Sequence, residues 1–104
     1  MSRYRLDRAA ICDLESIHDY IARSTKESTE RLLRRIAQVL KTLAKNPLSG
    51  ERRPEIAAEL RSFCCGNYVI YFRPSNDGIE VARILHAARD VRTAMGLPAE
   101  QAHE

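Results

Sequence analysis

Four residues of this 104-residue chain have the types that phosphoryl chemistry uses: Arg61, Arg73, Arg83 and His86. Each falls in a segment whose residues alternate as a strand does. Consecutive strands of a meander would bring the four toward one face, the one opposite any helices. Cleaving RNA through its 2′-hydroxyl needs a base, a cation for the phosphorane and an acid for the leaving oxygen. An unperturbed His titrates near neutrality, so His86 fits base or acid. Arg61 and Arg83 fit a bidentate hold on phosphate. A structural reading is also open. Arg83, between Val81 and Leu85 on one strand face, would anchor a carboxylate such as Glu55 or Glu59. His86, alternating with Ile84 and Ala82, would be a hydrogen-bonded imidazole. Arg89 and Arg92 would be a solvated charge pair with Asp90.

Composition narrows the choice. With Lys+Arg 17 against Asp+Glu 14, the net charge is only +3, mild for a chain that must hold RNA or DNA by itself. There is no Trp and aromatics are 6%, so no base-stacking platform is expected. Cys64 and Cys65 are adjacent, and Cys12 sits in a helical pattern; all three read as reduced thiols of a cytosolic protein. No Cys/His set has ligand spacing, so neither metal nor cofactor is expected. No apolar run is long enough to span a membrane. Met1-Ser2-Arg3-Tyr4-Arg5 leads into an amphipathic segment, so secretion is not expected.

The elements that must position these residues follow from periodicity. Arg3 to Leu6 alternates as a short strand, and Asp7 has the character of a helix cap. Ile11, Leu14, Ile17 and Ile21 then predict one apolar helical stripe to about Arg23, with Asp13, Glu15 and Asp19 facing away. Ser24-Thr25-Lys26-Glu27 reads as a capping box for a second helix. Its stripe is Leu32, Leu33, Ile36, Val39, Leu40 and Leu43, and it stops at Asn46-Pro47. So short a connection predicts an antiparallel helical hairpin. Pro47, Ser49, Gly50 and Pro54 punctuate residues 47–59, with one helical turn at Pro54–Ala58. The period then switches to two. Strands are predicted over Leu60–Cys65, Tyr68–Arg73 and Ile79–His86, joined by turns at Gly66-Asn67 and Pro74–Gly78. A helical turn fits within Ala87–Gly96.

The length allows one core. The expected fold is α+β, with the N-terminal helical hairpin on one face of a small, mainly antiparallel sheet of three to four strands. The first strand's neighbour is not assignable. Residues 1–96 form a single domain and 97–104 a frayed tail.

Five ordered segments resemble the ParE branch of the RelE/ParE toxin superfamily. They are Ala10-Ile11-Cys12-Asp13-Leu14-Glu15-Ser16-Ile17; Asn46-Pro47-Leu48-Ser49-Gly50; Arg53-Pro54-Glu55-Ile56; Leu60-Arg61-Ser62-Phe63 with Gly66-Asn67-Tyr68-Val69-Ile70-Tyr71-Phe72-Arg73; and Val81-Ala82-Arg83-Ile84-Leu85-His86-Ala87-Ala88-Arg89-Asp90. The resemblance spans residues 3–96. It implies the toxin half of a bacterial type II toxin–antitoxin pair, cytoplasmic, inhibiting DNA gyrase by protein contact. It further implies neutralisation by an antitoxin with a ribbon-helix-helix part, in a hetero-oligomer, with no direct DNA binding by this chain. RelE-type nucleases of similar fold carry lysines near the middle strands and often a late Tyr. Here Lys26, Lys41 and Lys45 all lie in the helical half, and no Tyr follows Tyr71.

Read this way, the target-contacting candidates are Arg61, Arg73, Arg83, Arg89 and Arg92. The antitoxin-contacting candidates are Leu33, Leu40, Arg34 and Lys41, because Leu32/Leu33 and Val39/Leu40 each leave one residue for a partner. Glu27–Arg31 and Glu30–Arg34 pairs would solvate the rest of that helix face. The alternatives are a ribosome-dependent endoribonuclease using Arg61, Arg83 and His86, and a non-toxic antitoxin-binding module.

Overall fold

The computed structural model describes residues 2–22 and 26–97. In chain order the elements are β1 (Arg3–Leu6), α1 (Arg8–Ala22), α2 (Lys26–Lys45), β2 (Glu51–Arg52), β3 (Arg61–Cys65), β4 (Tyr68–Ser75), β5 (Gly78–His86) and α3 (Val91–Ala94). The fold is α+β around one five-stranded, mostly antiparallel sheet of order β1-β5-β4-β3-β2. The Ser24 cap, the connection between the helices and the tail from residue 98 lie outside the described residues.

The sheet is larger than the alternation predicts. Glu51 and Arg52 pair with Ser62 and Arg61 and add a fifth strand. Two exposed residues carry no hydropathy alternation, which is why pattern alone misses them. β1 finds its neighbour in β5, parallel, from Arg3↔Gly78 to Leu6↔Val81. That pairing needs a glycine: a Cβ at Gly78 would lie 1.7 Å from the Arg3 carbonyl oxygen. β3 and β4 form a two-residue hairpin closing at Cys65↔Tyr68. Gly66, at φ 61, takes the first central position of its turn, where a positive φ matches the strand twist.

β4 and β5 carry a bulge. Tyr71 opposes Arg83 while Phe72 opposes Val81, which leaves Ala82 as the extra residue. The alternation of β5 inverts there. Ile79, Val81 and Ile84 join one core cluster, whereas Ala82 and Leu85 belong to another. The first cluster unites Ala10 and Ile17 of α1, Ile36, Leu40, Leu43 and Ala44 of α2, and the sheet residues Cys65, Ile70, Phe72, Ile79, Val81 and Ile84. The second sits on the opposite sheet face. There Leu60, Tyr71 and Leu85 are covered by Ile56 of the 53–60 turn and by Val91, Ala94 and Met95 at the C-terminal end.

The α1 stripe is displaced from the predicted one. Ala10, Asp13 and Ile17 point inward at spacings of three and four, while Ile11 is 46% exposed. Asp13, expected to face away, is buried. At the entry to α1 the Asp7 carbonyl accepts the first helical bond, from Ile11 N–H, and its carboxylate takes Arg73. The Pro54–Ala58 stretch makes a single turn, closed by Ala57 N–H to the Arg53 carbonyl.

Candidate functional site

The predicted quartet does not assemble on one face. Directly opposed residues of a ladder share a face. Arg61 opposes Phe72 and His86 opposes Tyr68, and both partners pack with the helix-containing cluster. Arg83 opposes Tyr71, which belongs to the second cluster. Arg73 opposes Glu80, in register with that second face. The bulge is the cause. Without Ala82 as an extra residue, Arg83 would share a face with Val81, as the sequence suggests; with it, Arg83 shares a face with Leu85 only.

Each of these side chains is engaged differently. Arg61 Nη1 donates to the Leu48 carbonyl at 2.7 Å. Arg73 donates through Nε to Glu80 at 3.0 Å and through Nη2 to Asp7 at 3.3 Å, fastening the start of α1 to the sheet. The exposed His86 meets the Tyr68 ring edge-on at 5.4 Å, and its Nδ1 accepts the Ala88 N–H. This is a local turn contact; the alternation of His86 with both Ile84 and Ala82 is broken by the bulge, which puts those two in different clusters.

Arg83 is the most constrained of the four. Its Nε and Nη2 form a fork with the two Asp13 carboxylate oxygens, both at 2.8 Å, and its Nη1 donates to the Ala94 carbonyl. The side chains are 15% and 8% exposed. Asp13 Oδ2 also accepts Ile84 N–H at 2.9 Å. β1 ends its pairing at Val81, so beyond that point α1 supplies the acceptor that β5 lacks. The Asp13 hydrogen bond holds the Arg83 guanidinium above its ordinary pKa, against the opposing effect of burial. The expected partners Glu55 and Glu59 are not the ones used. The missed residue left a signal: Ala10, Asp13 and Ile17 share one helix stripe, and an acid on an inward stripe requires a partner.

The C-terminal turn is built from Asp90 onward. Asp90 caps α3 by accepting Arg92 and Thr93 N–H and the Thr93 hydroxyl. These bonds, the hydroxyl's first, lower its pKa below the usual carboxylate range. Arg92 Nη1 reaches the Glu55 carbonyl at 2.8 Å, so it spans to the 53–60 turn instead of pairing only with Asp90. Arg89 is exposed at the edge of a cleft of ≈ 770 Å³, lined also by Leu32, Asn67, Tyr68 and His86.

On the helical side the Val39/Leu40 pair resolves, whereas Leu32 and Leu33 are both half-buried against the core. Leu40 is 2% exposed and belongs to the core, so it offers no docking surface, contrary to expectation. Val39 takes the outward place and lines a groove of ≈ 450 Å³ with Arg35, Gln38, Thr42 and Phe63. Leu33 is partly exposed beside Leu14, His18 and Asp19, and Arg34 and Lys41 are exposed. Burial pushes the Cys65 thiol up in pKa, while Cys12 and Cys64 are exposed free thiols. Among the described residues no cluster of His, Cys, Asp and Glu is set to hold a metal ion. None of their helices is long and apolar enough to cross a membrane.

A family model described as "ParE toxin of type II toxin-antitoxin system, parDE" matches residues 4–91. The chain belongs to the ParE toxin family. The fold agrees with that of a solved chain described as "Chromosomal ParDE TA system from P. aeruginosa", at 24% identity and TM-score 0.68. That match covers 83% of this chain and 96% of the other. No curated protein matches the chain significantly. The Arg83–Asp13–Ala94 constellation is a reading of the present geometry.

Proposed function

We propose that this ParE-family chain is the toxin of a type II pair that inhibits DNA gyrase by protein contact in the cytoplasm. A cognate antitoxin, carrying a ribbon-helix-helix part, neutralises it. The observation that carries the non-nucleolytic half is the division of the candidate acid–base set. Arg83 is committed to Asp13 of α1 and to Ala94, and its strand position shares a sheet face with Tyr71, whereas Arg61 and His86 are in register with the other face. General acid–base cleavage needs its groups within hydrogen-bond reach of one scissile phosphate. Gyrase is contacted by Arg89 and Arg92 at the C-terminal turn, with Arg61 and Arg73 as further cations. The antitoxin lies against the exposed side of α2 and its neighbours through Leu33, Arg34 and Lys41, with Val39 in place of Leu40.

The test is a purified gyrase supercoiling assay, titrating the folded chain with and without antitoxin. Inhibition reversed by antitoxin is the expected result. No inhibition at micromolar excess removes gyrase as the target. Cleavage of ribosome-bound mRNA abolished by His86→Ala replaces the proposal with the nuclease reading.

A further inference from the structure

We propose that Arg83 is a positioning residue: it does not meet the target but tethers the C-terminal turn to α1. This deepens the reading above, on which that turn carries the target contacts. α3 has four residues, too few to be stable as a helix alone. Its place depends on the Asp90 cap, on the packing of Val91, Ala94 and Met95, and on cations that hold backbone carbonyls across the sheet. Arg83 is the cation that also reaches a helix. One guanidinium spends two donors on Asp13 and a third on Ala94. The planar fork fixes these directions relative to each other, so a shift of α1 at Asp13 turns the donor aimed at Ala94. Among the described hydrogen bonds and ion pairs, Asp13 touches Arg83 and Ile84 and no residue of the turn. Arg83 carries the direct polar link from Asp13 to the turn; the Ile84 bond reaches it only through β5 and Leu85, which is why a variant that keeps an oxygen for Ile84 is used below. The consequence is a coupling between the helical side, where the antitoxin is proposed to lie, and the turn on the opposite sheet face.

Two substitutions on the full chain separate the tether from simple loss of stability. Asp13→Asn keeps an oxygen for Ile84 N–H but removes the charge that orients Arg83. Arg83→Lys keeps a cation beside Asp13 but cannot reach both acceptors. Hydrogen exchange is measured across the chain by mass spectrometry. The expected result is an increase of about tenfold for amides in 91–97 in both variants, the scale of losing a charge-assisted hydrogen bond, with β4 amides unchanged. Wild-type exchange in 91–97 in either folded variant overturns the tether. So does an equal increase across β4, which marks global loosening. Growth arrest on expression is scored in parallel and judges only the placement of the target contacts. A loosened turn with undiminished toxicity leaves the tether standing and refutes that placement.

Discussion

Removing Asp13 should cost more than any surface charge in the molecule, and the geometry sets the size. Asp13→Ala deletes three acceptor contacts at once: Arg83 Nε, Arg83 Nη2 and Ile84 N–H. The guanidinium, 15% exposed, is left with the Ala94 carbonyl as its hydrogen-bond partner, and a backbone N–H on the sheet loses its acceptor. Breaking a buried pair from one side costs about 3–5 kcal/mol, because the surviving charge stays desolvated. A domain of this size has roughly 5–15 kcal/mol in all, so the melting temperature should fall by about 15 °C or more. Arg83→Met in the Asp13→Ala background removes that stranded charge. The double variant should therefore be no less stable than Asp13→Ala alone, with a coupling of about 2 kcal/mol or more in a double-mutant cycle by urea unfolding. Additive effects, with coupling below about 0.5 kcal/mol, would refute the claim that the two side chains stabilise the fold as a unit.

Gly78→Ala forces a Cβ into the Arg3 carbonyl, so β1 must leave β5; a loss of about 3 kcal/mol is expected in urea unfolding, with amides of 3–6 deprotected. Leu40→Ala should cost about 2–5 kcal/mol of stability and leave antitoxin affinity per folded molecule unchanged, whereas Leu33→Ala should weaken antitoxin binding in calorimetry. The Asp90 pKa is depressed, so its contribution is present above the ordinary carboxylate pKa and is lost as pH falls through the depressed value. NMR of the Arg92 and Thr93 amides should show the cap opening only in that acid range, and Thr93→Val should move the transition upward. A midpoint unchanged by Thr93→Val contradicts the hydroxyl as its main cause.

The period-two segments were enough to find β3, β4 and β5, because alternation and turn chemistry are local properties, but the turn expected over Pro74–Gly78 shrinks to Asn76-Asp77, since Pro74 and Ser75 pair with Ile79 and Gly78. The α2 stripe was legible for the same reason: Ile36, Leu40 and Leu43 recur at helical spacing and are buried. The five ordered segments also pointed to the family, which the match over residues 4–91 shows. What lies on each face of β5 was not legible. One unpaired residue, Ala82, inverts the strand, and a bulge depends on how β4 meets β5, not on the residues of either strand. The parallel partner of β1 and the two-residue β2 likewise exist only through pairing across the sheet. Arg83 shows the division most clearly. Its charge and strand position come from the sequence, but the apolar pattern of α1 set Asp13 outward, and only the packed helix turns it inward. That the partner stands 70 residues away on α1, and that a third donor reaches Ala94, only the tertiary structure decides, because desolvation forces a buried charge to take whatever acceptors the packed chain brings to it.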